Sequence, residues 1–246
     1  MAKIITIATH KGGMGKTTTA KNLAVSASRK GKTLLIDLDP QRNLTTWVGI
    51  EDSEKDISSF FRGVELEKCV VQIKEGLDIV PGGLRMSRVN RELVGRANRE
   101  RILKKGLENI QSFYDYIIID TPPDLDDTVA NGVVVADIIL VPVAHESGST
   151  EGLLDFKEFA REVLDREPNV KYVLTQVNKA KTVMYEHIID SLKELGFHDQ
   201  LLSTEIPIES AVDQSNSAKV LLEDYDSKAK NIAMHDKLLS ELIKYA

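Results

Sequence analysis

Short runs of Ile, Val and Leu alternate along the chain with longer segments whose apolar residues recur every three or four positions. That alternation predicts strand–helix–strand units, an α/β fold with a mostly parallel central sheet and helices on both faces. The predicted strands are Ile4 to Ala8, Thr33 to Asp37, Leu77 to Val80, Tyr116 to Asp120, Ile138 to Val143, Tyr172 to Val177 and a weaker one at Leu201 to Thr204. Two of them, IIID and IILVPV, lack polar alternation and belong at the sheet's centre, covered from both sides. Helices fit Lys16 to Lys30, Arg85 to Ser112 with a break at Gly95, Thr128 to Ala136, Glu151 to Asp165, Val183 to Leu195, Glu209 to Leu222 and Ser227 to Tyr245. Gly31 and Gly196 stand where two of these should stop. There is no internal repeat or Pro/Gly-rich linker, so a single domain over residues 1–246 is expected.

Composition narrows the class without naming it. Hydrophobic residues at 42% and charged residues at 28% describe an ordinary globular protein, not a disordered one. Cys69 is the only cysteine, which removes an intramolecular disulfide framework and any Cys-rich metal site and assigns Cys69 to packing. No cleavable leader and no apolar run of about 20 residues is evident, so a soluble, cytoplasmic protein is expected. The formal charge of −6 is uneven. Arg85 to Lys105 holds eight basic residues, Arg88 and Arg91 among them, against Glu92 and Glu100.

The strongest chemical signal is ATHKGGMGKTT at residues 8–18. A strand ending at Ala8, a loop with Gly12, Gly13 and Gly15, and a helix starting near Lys16 form the setting of a phosphate-binding loop. Glycines let successive backbone N–H groups turn toward a phosphate, and the helix N-terminus adds partial positive charge. Lys16 would reach the β- and γ-phosphates, Thr17 would bind Mg²⁺ and Thr18 would make a further phosphate contact. The usual pattern G-x-x-x-x-G-K-[ST] nevertheless calls for glycine where this chain has His10. Asp120 and Asp37 end strands on the same expected crevice. Asp120 suits a carboxylate holding Mg²⁺ through water. Asp37 could be a second metal-shell group or the group orienting the attacking water, with Asp39 a turn residue before Pro40.

Together, KGGMGKTT, LLIDLDPQRNLT and YDYIIIDTPP resemble the ParA/MinD group of deviant Walker ATPases, whose loop reads K-G-G-x-G-K-[ST]. The resemblance makes Lys11 the signature residue and His10 no defect. It implies an ATP-dependent homodimer in which Lys11 reaches the partner's phosphates, Asp37 orients water and Asp120 is the Walker B position. Met14 matches a variable loop position. Glu146, in PVAHESGSTEGL, matches a glutamate that reaches ribose across the dimer, while Asn178 and Pro207 match positions framing adenine. Asp124 departs from the small polar residue usual after TPP.

Within that group, Cys69 alone excludes an iron-protein reading. A MinD-like membrane anchor would need a richer basic face than Lys237 and Lys244 give the tail helix, whose apolar stripe is expected to dock as core. A metabolic ATPase or ligase would need a second catalytic cluster, and none is evident. The resemblance then favours a ParA-type partition ATPase, nucleoid-associated, slow in isolation and stimulated by a ParB-like centromere-binding partner. Lys219, Lys228 and Lys230 match basic residues that contact non-specific DNA. Arg88 and Arg91, in the larger charge run, are a second candidate set, although such runs are usually solvated helix faces. With the phosphate loop beginning at residue 11, no N-terminal helix-turn-helix is expected.

Overall fold

A computed structural model describes residues 1–245. Eight strands form one sheet in the order β3-β4-β2-β5-β1-β6-β7-β8. They are β1 Lys3–Ile7, β2 Thr33–Asp37, β3 Val71–Lys74, β4 Leu77–Val80, β5 Tyr116–Asp120, β6 Ile138–Ala144, β7 Val170–Val177 and β8 Leu201–Pro207. All neighbours run parallel except β3, which is antiparallel to β4. The centre, β5-β1-β6, is the most apolar part, and Ile117 to Ile119 and Ile138 to Val141 are all buried. Helices cover both faces, as parallel strands require.

The helices are α1 Lys16–Ser28, α2 Asn43–Trp47, α3 Ile57–Phe61, α4 Met86–Leu93, α5 Ile102–Ile110, α6 Asp127–Val135, α7 Leu153–Leu164, α8 Thr182–Glu194, α9 Ser210–Ser217, α10 Leu222–Tyr225 and α11 Lys230–Leu242. On one face α1 lies against the sheet through Ala20, Leu23, Ala24 and Ala27, and α11 packs beside it with Leu238, Leu239 and Leu242 fully buried. Small side chains let α1 sit close, which fixes the loop before it. On the other face α3 to α5 cover one half of the sheet and α6 to α8 the other. The apolar stripe of the tail is therefore core, as its amphipathic pattern predicts. No described helix is long and apolar enough to cross a membrane.

Several elements differ from the sequence expectation. The helix at Arg85 to Ser112 breaks at Gly95 as expected, but the gap between α4 and α5 is wide, with Gly95 (φ 88°) and Asn98 (φ 56°) both left-handed in it. The helix expected over Glu209 to Leu222 stops at Ser217, because Lys219 turns left-handed at φ 57° before α10. Strand β3 and the five-residue helices α2 and α3 carry too few residues to show a period. Other contacts hold the two helices: a tertiary bond from Thr45 of α2 to Asp37, and a local capping box in which Asp56 and Ser59 cap α3 reciprocally.

The sheet's edge at β8 is protected from within. Glu241 of α11 accepts from the backbone N–H of Ser203 (2.7 Å) and Thr204 (3.1 Å) and from the Thr204 hydroxyl (2.7 Å). A carboxylate on otherwise open strand donors discourages edge-to-edge pairing. Cys69 is buried against α3 and the Leu66 turn, and burial pushes its thiol up to about 11, so it packs rather than reacts.

His235 in α11 is buried, its Nδ1 bonded to the Asn231 carbonyl at 2.7 Å, and burial pushes its pKa down to about 4. Between pH 6.5 and 4 the unfolded chain binds a proton here that the folded chain does not. Stability should therefore fall by about 3 kcal/mol on this account as pH drops through that window. Urea unfolding at pH 7, 5.5 and 4 should show this slope in the wild type and a flatter one in His235→Leu.

Candidate active site

Three neighbouring strands end at one level: Ile7 of β1 pairs in register with Asp120 of β5, and Asp120 with Asp37 of β2. The phosphate loop leaves β1 directly above them. Gly13 and Gly15 take left-handed φ values of 79° and 83°, Gly15 as the N-cap of α1, which any residue with a Cβ would resist. Two bonds from β7 brace the loop from behind: the Thr175 hydroxyl donates to the Met14 carbonyl (2.8 Å) and Gln176 Nε2 to the Gly13 carbonyl (2.7 Å). Met14 itself points inward and is 1% exposed, so this variable position is an anchor for the loop and its side chain lines no phosphate surface.

In front of the loop lies a cavity of about 380 Å³, lined by Gly12, Gly13, Gly15, Lys16, Thr17 and Thr18, and opposite them by Asp39, Gln41, Asn43, Trp47 and Pro123. Lys16 is buried, and its ammonium donates to the Lys11 carbonyl at 3.0 Å. Burial lowers its pKa, while the charges of Asp120, Asp39 and Asp124 oppose that shift. Asp124 thus adds to the negative field around Lys16.

The two strand-end aspartates differ sharply. Asp37 is fully buried and satisfied: it accepts from the backbone N–H of Asp39 (3.0 Å) and Thr45 (3.0 Å) and from the Thr45 hydroxyl (2.6 Å). That hydroxyl in turn accepts from the Gly82 N–H at 2.7 Å, and a Cβ on Gly82 would stand 2.7 Å from the Asp37 carboxylate. Burial pushes Asp37 up to about 6 against these bonds. Asp37 therefore ties the β2–α2 loop to β4 and does not line the cavity, whereas Asp39 does. Asp39 also forms the turn expected of it, accepting from the Gln41 N–H at 2.8 Å.

Asp120 is fully buried too, yet neither carboxylate oxygen has a hydrogen-bond partner among the described residues. Its pKa is raised well above the usual range, first by burial and then by the charge of Asp37, with the nearby Thr17 hydroxyl, which is out of hydrogen-bonding geometry, and the Lys16 charge opposing. Leaving such a group unpaired is costly. A hydrated Mg²⁺ held by Thr17 and the phosphates would supply its missing partners, so these residues fit that ion. No described cluster of three or more His, Cys, Asp or Glu could cage a metal alone.

Lys11 stands at the rim, partly exposed, with its ammonium donating to the Gly148 carbonyl at 2.9 Å. Glu146 is exposed on that same loop after β6. A second cavity, about 160 Å³, continues from Thr18 and Thr19 of α1 to Pro207, Ile208 and Val212. Asn178 is not in it: its side chain accepts from the Ala180 N–H (3.0 Å), and it lines a separate hollow with His145 and Tyr185. Sequence reasoning missed Gln176, Asn43 and Trp47. Only the uniqueness of Trp47 marked any of them.

Of the basic candidates, Lys219 pairs with Glu51 at 2.8 Å, while Lys228 and Lys230 are exposed. Arg88 shares Glu92 with Arg62, and Arg99 pairs with Asp127. Three of the eight basic residues of the run, Arg88, Arg99 and Arg101, are thus paired locally, while Arg91 is exposed with no acidic partner among the described residues.

The parallel sheet, glycine loop, Lys16 and Asp120 define a P-loop nucleotide-binding protein. A family model described as an AAA domain, AAA_31, matches residues 2–174. The chain is 32% identical over 250 residues to the sporulation initiation inhibitor protein Soj of Bacillus subtilis, covering 98% of both chains. It superposes with a TM-score of 0.86 and 26% identity on a plasmid partition protein from Borrelia burgdorferi bound to AMPPNP, with all of both chains covered. A cobyrinic acid a,c-diamide synthase from Mycobacterium smegmatis, bound to an ATP analogue and magnesium, also matches at a TM-score of 0.85 and 25% identity, over 100% of this chain and 95% of the synthase. The chain belongs to the ParA/Soj family of deviant Walker ATPases.

Two substitutions separate the roles of the aspartates. Asp37→Ala strips three donors of their acceptor and should lower stability by about 2–4 kcal/mol, while Asp39→Ala should cost only about 1 kcal/mol. Urea unfolding followed by Trp47 fluorescence measures both, and equal losses would contradict the division. Trp47 should also respond to ATP in the wild type and give no response in Lys16→Ala.

Proposed function

We propose that this family member is a partition ATPase whose Mg²⁺- and ATP-bound dimer binds DNA without sequence preference, and whose hydrolysis, stimulated by a ParB-like centromere-binding partner, releases it. The observation that most supports this reading is the pairing of two lysines at one loop. Lys16 is buried in the phosphate cavity, and Lys11 sits at its rim, held by a single neutral carbonyl of its own chain.

Within one protomer, Lys16 and the loop amides bind the β- and γ-phosphates, and Thr17 and Asp120 hold Mg²⁺, which would offset charge on those oxygens. Asp39 orients the attacking water in place of Asp37, because Asp39 faces the cavity while Asp37 is occupied by Thr45. Thr18 and Pro207 line the extension toward ribose and base. Asn178 and Glu146 join the site once a second protomer closes over it, where the partner's signature lysine adds positive charge as the transition state develops. Such an enzyme turns over slowly alone, at about 10⁻⁴ to 10⁻² per second. The protein accordingly resides on the nucleoid while ATP lasts.

The alternative of a MinD-like membrane protein is disfavoured because the leucines of α11 that would enter a bilayer lie in the core. The synthase-like alternative predicts amidation or phosphorylation of a small substrate rather than DNA binding.

Sedimentation and gel shift with ATP at low salt should show a dimer that retards DNA of any sequence. Three lysines per protomer correspond to a slope of log affinity against log salt of about −5. A monomer that leaves DNA free under those conditions overturns the proposal. Lys11→Ala should keep ATP affinity within about threefold yet lose partner-stimulated turnover, whereas Asp39→Ala should bind ATP, dimerise and stall; about tenfold is 1.4 kcal/mol of transition-state stabilisation, the least loss expected.

A further inference from the structure

Lys21 lies in the second turn of α1, four residues beyond Thr17, and is completely buried. No acidic side chain pairs with it among the described residues. Burial alone accounts for its pKa falling to about 8. A leucine or methionine would fill this space without the desolvation of an ammonium, so packing does not explain the residue. Its bonds do. The three protons of the ammonium meet three acceptors: Asn216 Oδ1, Ser215 Oγ at 3.4 Å and the Val220 carbonyl at 3.3 Å.

All three acceptors flank Lys219. That residue is left-handed (φ 57°), a conformation lysine keeps only where the surroundings impose it. The Lys219 N–H donates to the Asn216 carbonyl and the Val220 N–H to the Ser215 carbonyl, closing the turn behind the same side chains that Lys21 grips. From the other side Gly49 comes so close that a Cβ there would stand 3.2 Å from the Lys219 carbonyl. The opposite end of α9 is a wall of the nucleotide cavity, where Val212 faces Thr18 and Thr19 of α1. Helices α1 and α9 thus meet twice, once across the cavity and once through the Lys21 ammonium.

We propose that Lys21 is a positioning residue that couples the nucleotide cavity to the Lys219 turn, so that closure of α1 and α9 around nucleotide sets the geometry in which Lys219 leaves Glu51 and meets a phosphodiester backbone. This rests on the DNA-binding reading above for its last step only. The coupling itself concerns α1, α9 and the turn.

The test compares wild type with Lys21→Met, which keeps length and apolar bulk but removes all three bonds, and with the milder Asn216→Ala. Hydrogen–deuterium exchange of residues 216–222 should slow on adding AMPPNP and Mg²⁺ in the wild type and stay unchanged in both variants, while ATP affinity read by Trp47 fluorescence remains within about threefold. DNA affinity of the AMPPNP-bound protein should drop about tenfold in Lys21→Met. It should drop no further when Lys21→Met is added to Lys219→Gln, whereas a general loss of stability would add. A wild-type turn whose exchange ignores nucleotide, or a variant turn that responds like wild type, overturns the inference. A turn that responds normally and loses its response in both variants, in a protein that never binds DNA, upholds the coupling and removes the partition reading instead.

Discussion

Two carboxylates buried side by side at the ends of β2 and β5 impose the central constraint of this molecule. Parallel register brings Asp37 and Asp120 level; burial raises the cost of ionising both, and the charge of Asp37 raises it further for Asp120. The fold resolves the conflict asymmetrically. Asp37 is given three donors and becomes a tie between β2, α2 and the glycine after β4. Asp120 is given none, and its remaining opposition comes from Thr17 and Lys16 of the phosphate loop. A buried group left so poorly matched is stable only because the rest of the structure holds it, and a cation would match it.

The satisfied aspartate serves the unsatisfied one. By fixing Thr45, Asp37 places α2, and α2 with the turn at Asp39 supplies the wall facing the phosphate loop, through Asn43, Trp47 and Asp39 itself. Across the cavity, Thr175 and Gln176 brace the loop by its carbonyls, so its N–H groups remain free for phosphate oxygens. Rigidity on both sides means little reorganisation when charge moves in the reaction, which is the economical way to stabilise it.

Most of this was readable from residues whose type is dictated by chemistry. Seven of the strands and the phosphate loop announced themselves, since unbroken Ile/Val runs belong inside a parallel sheet and Gly-Lys-Thr after a strand has little use but phosphate binding. What escaped was set by tertiary contact. Strand β3 exists because β4 offers it an edge, and α2 because Asp37 caps it from another element. By sequence, Asp37 belongs in the crevice and Asp39 in a turn, with nothing but position to separate them, since strand alternation says that residues two apart share a face. The chain leaves the strand at Asp37, and that end of alternation turns one carboxylate inward and the other toward the cavity. Lys21 carries no signal of its own in the sequence; only its neighbours from α9, some 195 positions away, give it meaning.

The lysine at the rim gives the site its direction. Lys11 in the single chain satisfies a neutral carbonyl at Gly148, a bond that is partly exposed and therefore modest. A triphosphate offers the same ammonium several anionic oxygens in a space from which a second protomer would exclude water, where charge-assisted bonds are roughly twice as strong. In the proposed dimer, exchanging one acceptor for the other would favour association while the terminal phosphate is present and separation once it is gone. A site of this construction does not need tight binding to its own nucleotide to act as a switch. It needs a cation whose better partner belongs to someone else, and whose poorer one, within the same chain, is always at hand.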